Sequence, residues 1–288
     1  MRRLASLLLL CAVPAPAFAF FCTRADTEAS SPTQVWMSRC IPYYVSHSGV
    51  NFDSEERIRL IAQSFAVWSS PACTDITFRD RGRTLQDDAF DVDHPEVNQN
   101  VIASIEGASD SFPDSRLLAI TLTRFSVLTG EILDADILLN ADKFRFDDVS
   151  DPVACLALSG PTFDLRNTLI HEMGHFIGFD HTPIREATMF ASADRCEVGK
   201  RDLAEDDLMG LCSVYPKDGP TATCTPPATY TPASGLDPLP FRNQCDRPTL
   251  PVADPGGCGC GVNRESNGLF VLGLIALLAR KRSRFSGI

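Results

Sequence analysis

Three of the five histidines in this 288-residue chain lie close together, in the string HEMGHFIGFDH that runs from His171 to His181. On a helix, His171 and His175 are one turn apart and project from the same face, so their imidazole nitrogens can reach one cation. Glu172 is rotated off that ligand line, where it can take a proton from metal-bound water and pass it to a leaving amine. The spacing therefore predicts a metal site with a general base beside it.

The second half of the string supplies a third ligand. Gly178 can enter positive φ without steric cost, so the chain can leave the helix sharply and return with His181. Three neutral imidazoles leave the fourth tetrahedral position to water, which is typical of a catalytic zinc and not of a structural one. Histidines one turn apart also occur on ordinary solvated helices, but Gly178 and His181 favour the zinc site.

A β-sheet to support this string is predicted from five runs of β-type residues. The polar, acidic stretch 81–100 is predicted to be a surface loop between two of them, and Thr129-Gly130 is predicted to make the turn between the last two. The five runs are CIPYYVS (40–46), TDITFRD (74–80), VIASIEG (101–107), LLAITLTRF (117–125) and DADILLN (134–140).

Three helices are predicted from hydrophobic spacing and capping residues. The first covers 53–70, and its Asp53 and Glu56 have capping-box spacing. The helix with the histidines is expected to begin at Asp164 as N-cap and to end at Gly178. A last amphipathic helix is expected from about Arg201 to Tyr215.

The histidine string resembles the elongated zinc-binding motif of the metzincin peptidases. Met189, eight residues beyond His181, is similar in position to the Met-turn residue of that clan. Phe190 follows, and no tyrosine comes soon enough to be an extra ligand, which favours the matrixin branch, the matrix-metalloproteinase type. TGEILDADILLN and LAEDDLMGLCSVY also resemble matrixin segments, so the resemblance covers about 34–216.

This resemblance implies the fold and further site residues. The fold would be α+β over residues 33–216, with a twisted mixed sheet of about five strands, three helices and a zinc cleft between upper and lower subdomains. Met189 would lie under the zinc, with Asp206 and Asp207 supporting it. The substrate would lie extended against an edge strand, expected to consist of Ala119, Ile120, Thr121, Leu122 and Thr123.

The chain also departs from the matrix metalloproteinases. Those enzymes carry a prodomain whose cysteine caps the zinc, and no such motif precedes the first strand; Cys40 is expected in a disulfide instead. Only His47 and His94 remain outside the string, so no second zinc is predicted. An acidic loop has oxygen ligands that suit calcium, although its composition favours plain solvation; its carboxylates are Asp87, Asp88, Asp91 and Asp93.

The hypothesis from these residues is a zinc-dependent endopeptidase in which metal-activated water attacks the peptide bond and Glu172 is the general base. One alternative is a zinc-dependent amidase that acts on cell-wall or other non-peptide amides. Another is a non-catalytic surface adhesion module with a structural zinc. Glu172 argues against the adhesion module, because a structural site has no need of that carboxylate.

The N-terminus and the cysteines predict export. Residues 1–19 combine two arginines, an apolar run and a closing Ala-Phe-Ala, which is the layout of a secretory signal peptide. Its removal takes Cys11 and leaves ten of the eleven cysteines, an even number that indicates disulfides and an oxidising compartment. Pairing cannot be read from sequence, but proximity suggests Cys40–Cys73, Cys196–Cys212 and Cys224–Cys245.

The C-terminal part predicts attachment at a cell surface. Residues 217–261 are rich in Pro and Thr and are predicted to form a linker or stalk. Residues 262–288 contain an apolar run, 268–279, too short for an ordinary membrane span, followed by a basic cluster. This tail resembles myxococcal-type sorting signals and implies a Gram-negative exporter. The net charge of −11 disfavours nucleic-acid binding. The peptidase hypothesis implies a polypeptide substrate, and a monomeric protein is expected.

Overall fold

The computed structural model describes residues 20–25, 31–49, 52–88, 90, 97–107 and 112–217. The predicted signal peptide, the stalk beyond Lys217 and the C-terminal tail lie outside these residues, as does the suggested Cys224–Cys245 pair. Within the described part, no helix is long and apolar enough to cross a membrane.

A five-stranded mixed sheet forms the centre of the domain and confirms the predicted α+β class. Its strand order is β3-β2-β4-β6-β5; the β2–β3, β2–β4 and β4–β6 pairs are parallel, and β5 runs antiparallel to β6 at one edge. Two smaller sheets pair β1 with β9 and β7 with β8. The strands are β1 (Phe21–Cys22), β2 (Cys40–Ser46), β3 (Thr77–Thr84), β4 (Val101–Ile105), β5 (Ala119–Phe125), β6 (Ile132–Asn140), β7 (Arg145–Asp147), β8 (Thr162–Asp164) and β9 (Phe179–Asp180).

The third strand shows where the hydrophobic pattern gave a wrong boundary. Strand β3 begins later than the predicted run and continues to Thr84, into the stretch from Arg81 that was expected to be loop. It is the other edge strand of the sheet, and most of its side chains are exposed or half-buried. Because neither face of such a strand is fully covered, its polar sequence carries no alternation that marks it as β.

Four α-helices are present in the described residues, one more than predicted: α1 (Glu55–Ser69), α2 (Pro152–Leu156), α3 (Leu165–Phe176) and α4 (Glu205–Val214). The Asp53–Glu56 capping box is wrong, since Ser54 caps α1 through Arg57 N while Asp53 pairs with His47. The missed helix α2 is a single short turn capped by Asp151. The last helix begins at Glu205, after a separate 3₁₀ turn over Gly199–Arg201.

The core joins α1 and α3 and fixes the end of α3. Trp68 of α1 is fully buried, and its indole Nε1 donates to Ile170 O at 2.8 Å. At the C-terminus of α3, Trp36 Nε1 donates to Phe176 O at 2.7 Å and Tyr215 Oη donates to Ile177 O at 2.7 Å. These donors satisfy carbonyls that a helix end leaves without intrahelical partners, so the last turn of α3 is held rigidly.

Two disulfides link distant parts of the chain, and they correct the suggested pairing. Cys73 bonds to Cys212 and Cys155 bonds to Cys196, so Cys40–Cys73 and Cys196–Cys212 are wrong. Cys40 does form a disulfide, as expected. Proximity in sequence failed because the loop after α1 lies against the end of α4, where Lys217 N donates to Cys73 O.

Candidate metal centre

Three imidazole rings converge at the C-terminal end of α3. His181 Nε2 lies 3.2 Å from His175 Nε2 and 3.3 Å from His171 Nε2. The three side chains offer ligand atoms that all lie within 4.8 Å of one another. Nitrogens bound tetrahedrally to one Zn²⁺ at 2.0–2.1 Å are separated by about 3.3 Å, so the observed spacing fits a zinc site.

The other ring nitrogens show which tautomer these histidines adopt. His171 Nδ1 donates to Thr188 O at 2.7 Å, and His175 Nδ1 donates to Phe179 O at 2.8 Å. With the proton on Nδ1, each Nε2 presents a lone pair to the centre. Burial lowers the pKa of all three histidines, so the rings are neutral ligands and not imidazolium ions. The Nε2 lone pairs of His171 and His175 thus point to the position that a cation would occupy, which supports the fit.

Gly178 brings the third histidine into place. Its φ of +92° is in the left-handed region, and a Cβ at this position would lie 2.1 Å from Gln34 O. The chain therefore turns directly after α3 and passes close to the 31–49 segment, where no side chain could fit. The predicted end of the helix is confirmed. So is its beginning, since Asp164 is the N-cap and accepts from Asn167 N.

The carboxylate of Glu172 lies in a dry environment with one oxygen free. Glu172 is fully buried, and Oε2 accepts a hydrogen bond from Thr121 Oγ1 at 2.7 Å. The other oxygen, Oε1, is buried and has no partner among the described residues. Burial raises the pKa of Glu172 to about 7, and the Thr121 hydrogen bond opposes that rise. A carboxyl group in this state can both accept and return a proton near neutral pH.

Met189 packs directly against the helix that carries the histidines. Met189 is buried, and a Cβ on Gly174 would lie 2.0 Å from its Sδ atom. Asp207 fixes the turn through two backbone donors, Thr188 N at 2.7 Å and Met189 N at 3.1 Å. The side chain of Asp207 thus makes the supporting contact that the sequence suggested for the Asp206-Asp207 pair.

The comparison with known families agrees with this geometry. The sequence profile of the matrixin family matches residues 35–216. The chain belongs to the matrixin family. It matches no curated protein at a significant level. The family indicates a zinc metallopeptidase, and the cluster of three histidines fits the zinc that matrixins use.

The strand expected to bind substrate does lie at the edge of the matrixin sheet. Strand β5 pairs on one side with β6 and has no partner strand on the other in the described residues. Thr121 contacts Glu172, Thr123 Oγ1 donates to Gln34 Oε1 at 2.9 Å, and Leu122 is half-buried. The side chains are therefore mostly occupied within the domain, and substrate binding at this edge stays a prediction.

The acidic loop is only partly described. Asp87 accepts from Ser46 Oγ at 2.5 Å, and Asp88 pairs with Arg124. Asp91 and Asp93 lie outside the described residues. Two of the four carboxylates thus have protein partners, and calcium binding stays a prediction. His94 is likewise outside this part of the structure.

One buried residue near the centre was missed by the sequence analysis. Lys200 is 2% exposed, and its Nζ donates to Phe190 O and Ser192 O, both at 2.6 Å. In sequence it is part of a Lys-Arg pair, which is usually exposed. Only the position of Lys200 within the matrixin loop after Met189 could have drawn attention to it.

Proposed function

We propose that this matrixin is a zinc-dependent endopeptidase, with His171, His175 and His181 as zinc ligands and Glu172 as the general base. The convergence of three neutral Nε2 atoms beside a carboxylate with a free buried oxygen carries the proposal. Zinc, when bound, supplies Lewis acidity toward water and toward the carbonyl of the scissile bond. A purely structural site would need neither the free oxygen nor the raised pKa of Glu172.

Glu172 and the groups that hydrogen-bond to it and to the histidines each have a distinct role in the proposed reaction. Glu172 takes the proton of the attacking water and delivers it to the leaving nitrogen, which balances the hydrolysis of one peptide bond. Thr121 fixes the rotamer of Glu172 through Oε2 and leaves Oε1 to act. The carbonyls of Thr188 and Phe179 hold the imidazoles of His171 and His175 in orientation. These second contacts raise ligand basicity and preorganise the centre.

Substrate would bind as an extended strand along β5. The free backbone edge of β5 can form main-chain hydrogen bonds with a polypeptide. In that geometry the peptide crosses the sheet edge beside Thr121, whose side chain contacts Glu172. This contact makes β5 the natural guide for a substrate backbone, with Ala119–Thr123 as the pairing residues.

The proposal includes export to the cell surface. The disulfides of the domain, among them Cys73–Cys212 and Cys155–Cys196, support an oxidising compartment. The N-terminal 1–19 segment would direct export, 217–261 would serve as a stalk for the 33–216 domain, and 262–288 would sort or anchor a Gram-negative bacterial protein. Detection of the protein on intact cells, and its loss from the surface after removal of 262–288, would test this arrangement.

Digestion of a denatured protein tests the activity. The mature protein should cleave reduced, unfolded casein, lose that activity in a chelator and regain it with stoichiometric Zn²⁺. A cell-wall amidase would leave casein intact while releasing peptide stems from murein. A zinc site with four protein ligands and no bound water, seen by X-ray absorption, would contradict catalysis altogether.

A further inference from the structure

The short strand that leads to the third histidine is held by a segment near the N-terminus. Strand β9 lies directly before His181 and pairs antiparallel with β1, with Cys22 opposite Phe179. Thr23 N donates to Gly178 O at 2.8 Å, which extends this pairing back to the turn after α3. In the part of the chain that the structure describes, no other strand pairs with β9. The backbone that leads to His181 therefore has β1 as its strand partner.

His181 depends on its backbone more than the other two histidines do. The Nδ1 atoms of His171 and His175 donate to backbone carbonyls, and these hydrogen bonds orient both rings. Among the described residues, no group hydrogen-bonds to Nδ1 of His181. His181 is also half-buried, whereas the other two are buried. The path of the chain through β9 therefore sets the orientation of this ring.

Strand β1 also supports a second histidine, through Phe179. Phe179 O accepts from His175 Nδ1 at 2.8 Å, and Phe179 is the residue that pairs with Cys22. On the side of the core, the Phe179 ring stacks on Trp68 with 5.6 Å between the ring centres. Two of the three imidazoles thus depend on the position of β9, one through a carbonyl and one through the chain itself.

Phe20 attaches the start of β1 to the core. A Cβ on Gly210 of α4 would lie 3.1 Å from atoms of both the Phe20 ring and the Phe179 ring, so both rings lie against this glycine. Phe20 packs on the main hydrophobic core, whereas the next side chain, Phe21, is 49% exposed. Of these two neighbouring phenylalanines, Phe20 is therefore the one that holds β1 to the domain.

We propose that β1 is a positioning element of the metal centre, which holds His181 and the Phe179 carbonyl in place and so increases the affinity for zinc. This inference rests on the zinc site of the proposed function. The residues of β1 lie upstream of 35–216, the region that the matrixin profile matches. Without β1, the 178–181 segment would have to be ordered when zinc binds, and this loss of conformational entropy would weaken binding.

Two phenylalanine variants of the full-length protein test the inference. Phe20→Ala removes the ring that holds β1, and Phe21→Ala, which removes an exposed ring from the same strand, is the matched control. Neither change touches Cys22, which is disulfide-bonded. Competition with a chromogenic chelator measures the zinc affinity, and urea unfolding of the zinc-free proteins shows whether they fold. We expect Phe20→Ala to bind zinc about tenfold more weakly, as for other contacts outside the ligand shell, and Phe21→Ala to bind as the wild type does.

Hydrogen exchange provides a second arm that needs no substitution. Because coupling between two sites is reciprocal, zinc must stabilise β1 if β1 stabilises bound zinc. The Thr23 amide, which donates to Gly178 O, should therefore exchange more slowly in the zinc-loaded wild type than in the zinc-free protein. The Thr77 amide, which donates to Arg39 O at the start of β3, is the control for general stabilisation and should be slowed less.

The outcomes separate this inference from the proposed function. A folded Phe20→Ala protein with wild-type zinc affinity, an equal loss of affinity in Phe21→Ala, or equal slowing of the Thr23 and Thr77 amides would overturn the inference and leave the peptidase function intact. If Phe20→Ala does not fold, the exchange result decides by itself. A wild-type protein that binds no zinc would contradict the proposed metal site, and the inference with it.

Discussion

Glu172 and Thr121 form the contact that most directly connects the sheet to the proposed chemistry. Thr121 Oγ1 lies 2.7 Å from Glu172 Oε2, in a region from which water is excluded. A hydroxyl that donates to a carboxylate stabilises the charged form, and such bonds contribute about 1.5–3 kcal/mol when the acceptor is ionised. Thr121 is therefore a positioning residue for the proposed general base.

Replacing this hydroxyl should impair the base without disturbing the fold. Thr121→Val keeps the shape but removes the donor, so the pKa of Glu172 should rise further and the acid limb of the kcat/KM profile should move to higher pH. At neutral pH we expect a loss on the order of tenfold. Thr123→Val is the matched control, since Thr123 lies in the same strand but contacts Gln34. A profile identical to wild type would show that Thr121 does not tune Glu172.

At the residue scale, the sequence predicted which residues form the site better than it predicted the contacts between them. The three histidines, Gly178 and Met189 were found because their chemistry depends on spacing along one segment of 19 residues, 171–189. The Thr121–Glu172 contact joins residues 51 positions apart. Lys200 contacts Phe190 O and Ser192 O only because of the path that the loop after Met189 takes. Contacts of this kind depend on how elements pack, which periodicity and motif spacing do not encode.

Among the elements, the turn after α3 is the most constrained. Gly178 has φ of +92° and would clash with Gln34 O if it carried a Cβ, whereas Gly160 has φ of +98° with nothing within 4 Å. A comparison of the two positions therefore distinguishes backbone strain from steric clash. Alanine at either position is strained by the left-handed conformation, but only alanine at 178 must also displace a neighbouring atom.

Alanine at these two positions should have different consequences. Gly178→Ala should lose at least about 2 kcal/mol of the free energy of unfolding and displace His181, which would weaken zinc affinity. Gly160→Ala should cost about 1 kcal/mol and leave zinc affinity unchanged. Urea unfolding and competition with a zinc chelator measure the two quantities. Equal effects of both substitutions on zinc affinity would contradict the role assigned to Gly178.

A buried carboxyl pair on β6 gives the domain a pH-dependent stability. Asp134 and Asp136 are both buried and share the guanidinium of Arg124, with distances of 2.9 and 2.5 Å. Burial raises the pKa of both carboxyls, and attraction to Arg124 opposes the rise. The folded state thus binds protons more tightly than the unfolded chain, whose carboxyls have a pKa of about 4.

The sign of the pH effect follows from this difference. The stabilisation is fully present below about pH 4 and is lost as the pH rises through the raised values, so the free energy of unfolding should fall between about pH 4 and about pH 8. Asp134→Asn removes one of the two carboxyls and should make that fall smaller than in the wild type. Urea unfolding of both proteins at the two pH values provides the comparison. A steeper fall in the variant would show that the folded state lowers the pKa of Asp134.

Element boundaries were predictable only where burial produced a pattern. Strand β2 matches its prediction because its buried residues recur regularly along the strand. The N-cap Asp164 matches because a cap depends only on residues that are close in sequence. The exposed edge strand β3 and the short helix α2 carry no such pattern. Helix α4 begins later than the predicted Arg201, because Asp207 accepts from Ala204 N at 2.9 Å and so fixes the first turn at Glu205.

At the scale of the whole molecule, the Cys155–Cys196 and Cys73–Cys212 disulfides stabilise the domain by linking parts that lie at different separations along the chain. Cys155–Cys196 spans 41 residues and attaches α2 to the loop between Met189 and Lys200, whereas Cys73–Cys212 spans 139 residues and attaches the loop after α1 to α4. A cross-link restricts the unfolded chain more when it closes a longer loop. The pairing itself depends on the three-dimensional arrangement, which is why sequence proximity suggested the wrong partners.

Removal of each disulfide should therefore cost a different amount. Cys73→Ala with Cys212→Ala should lower the free energy of unfolding by about 5 kcal/mol, and Cys155→Ala with Cys196→Ala by about 4 kcal/mol. The second pair should also loosen the 190–200 loop and raise KM, while the first pair should leave KM unchanged in the folded protein. Denaturant unfolding and steady-state kinetics measure both effects. A change in KM confined to the Cys73–Cys212 variant would refute this division.

The most direct test of the zinc peptidase account compares wild type with Glu172→Ala on denatured casein, with bound zinc measured in the same samples. Because Glu172 is not a ligand but the proposed base, the variant should retain one zinc and the fold while its cleavage rate falls by a factor on the order of 10²–10⁴. Glu186 is an exposed glutamate between His181 and Met189, and the control variant Glu186→Ala should cleave as the wild type does. A zinc-loaded Glu172→Ala protein that digests casein at the wild-type rate would contradict the account.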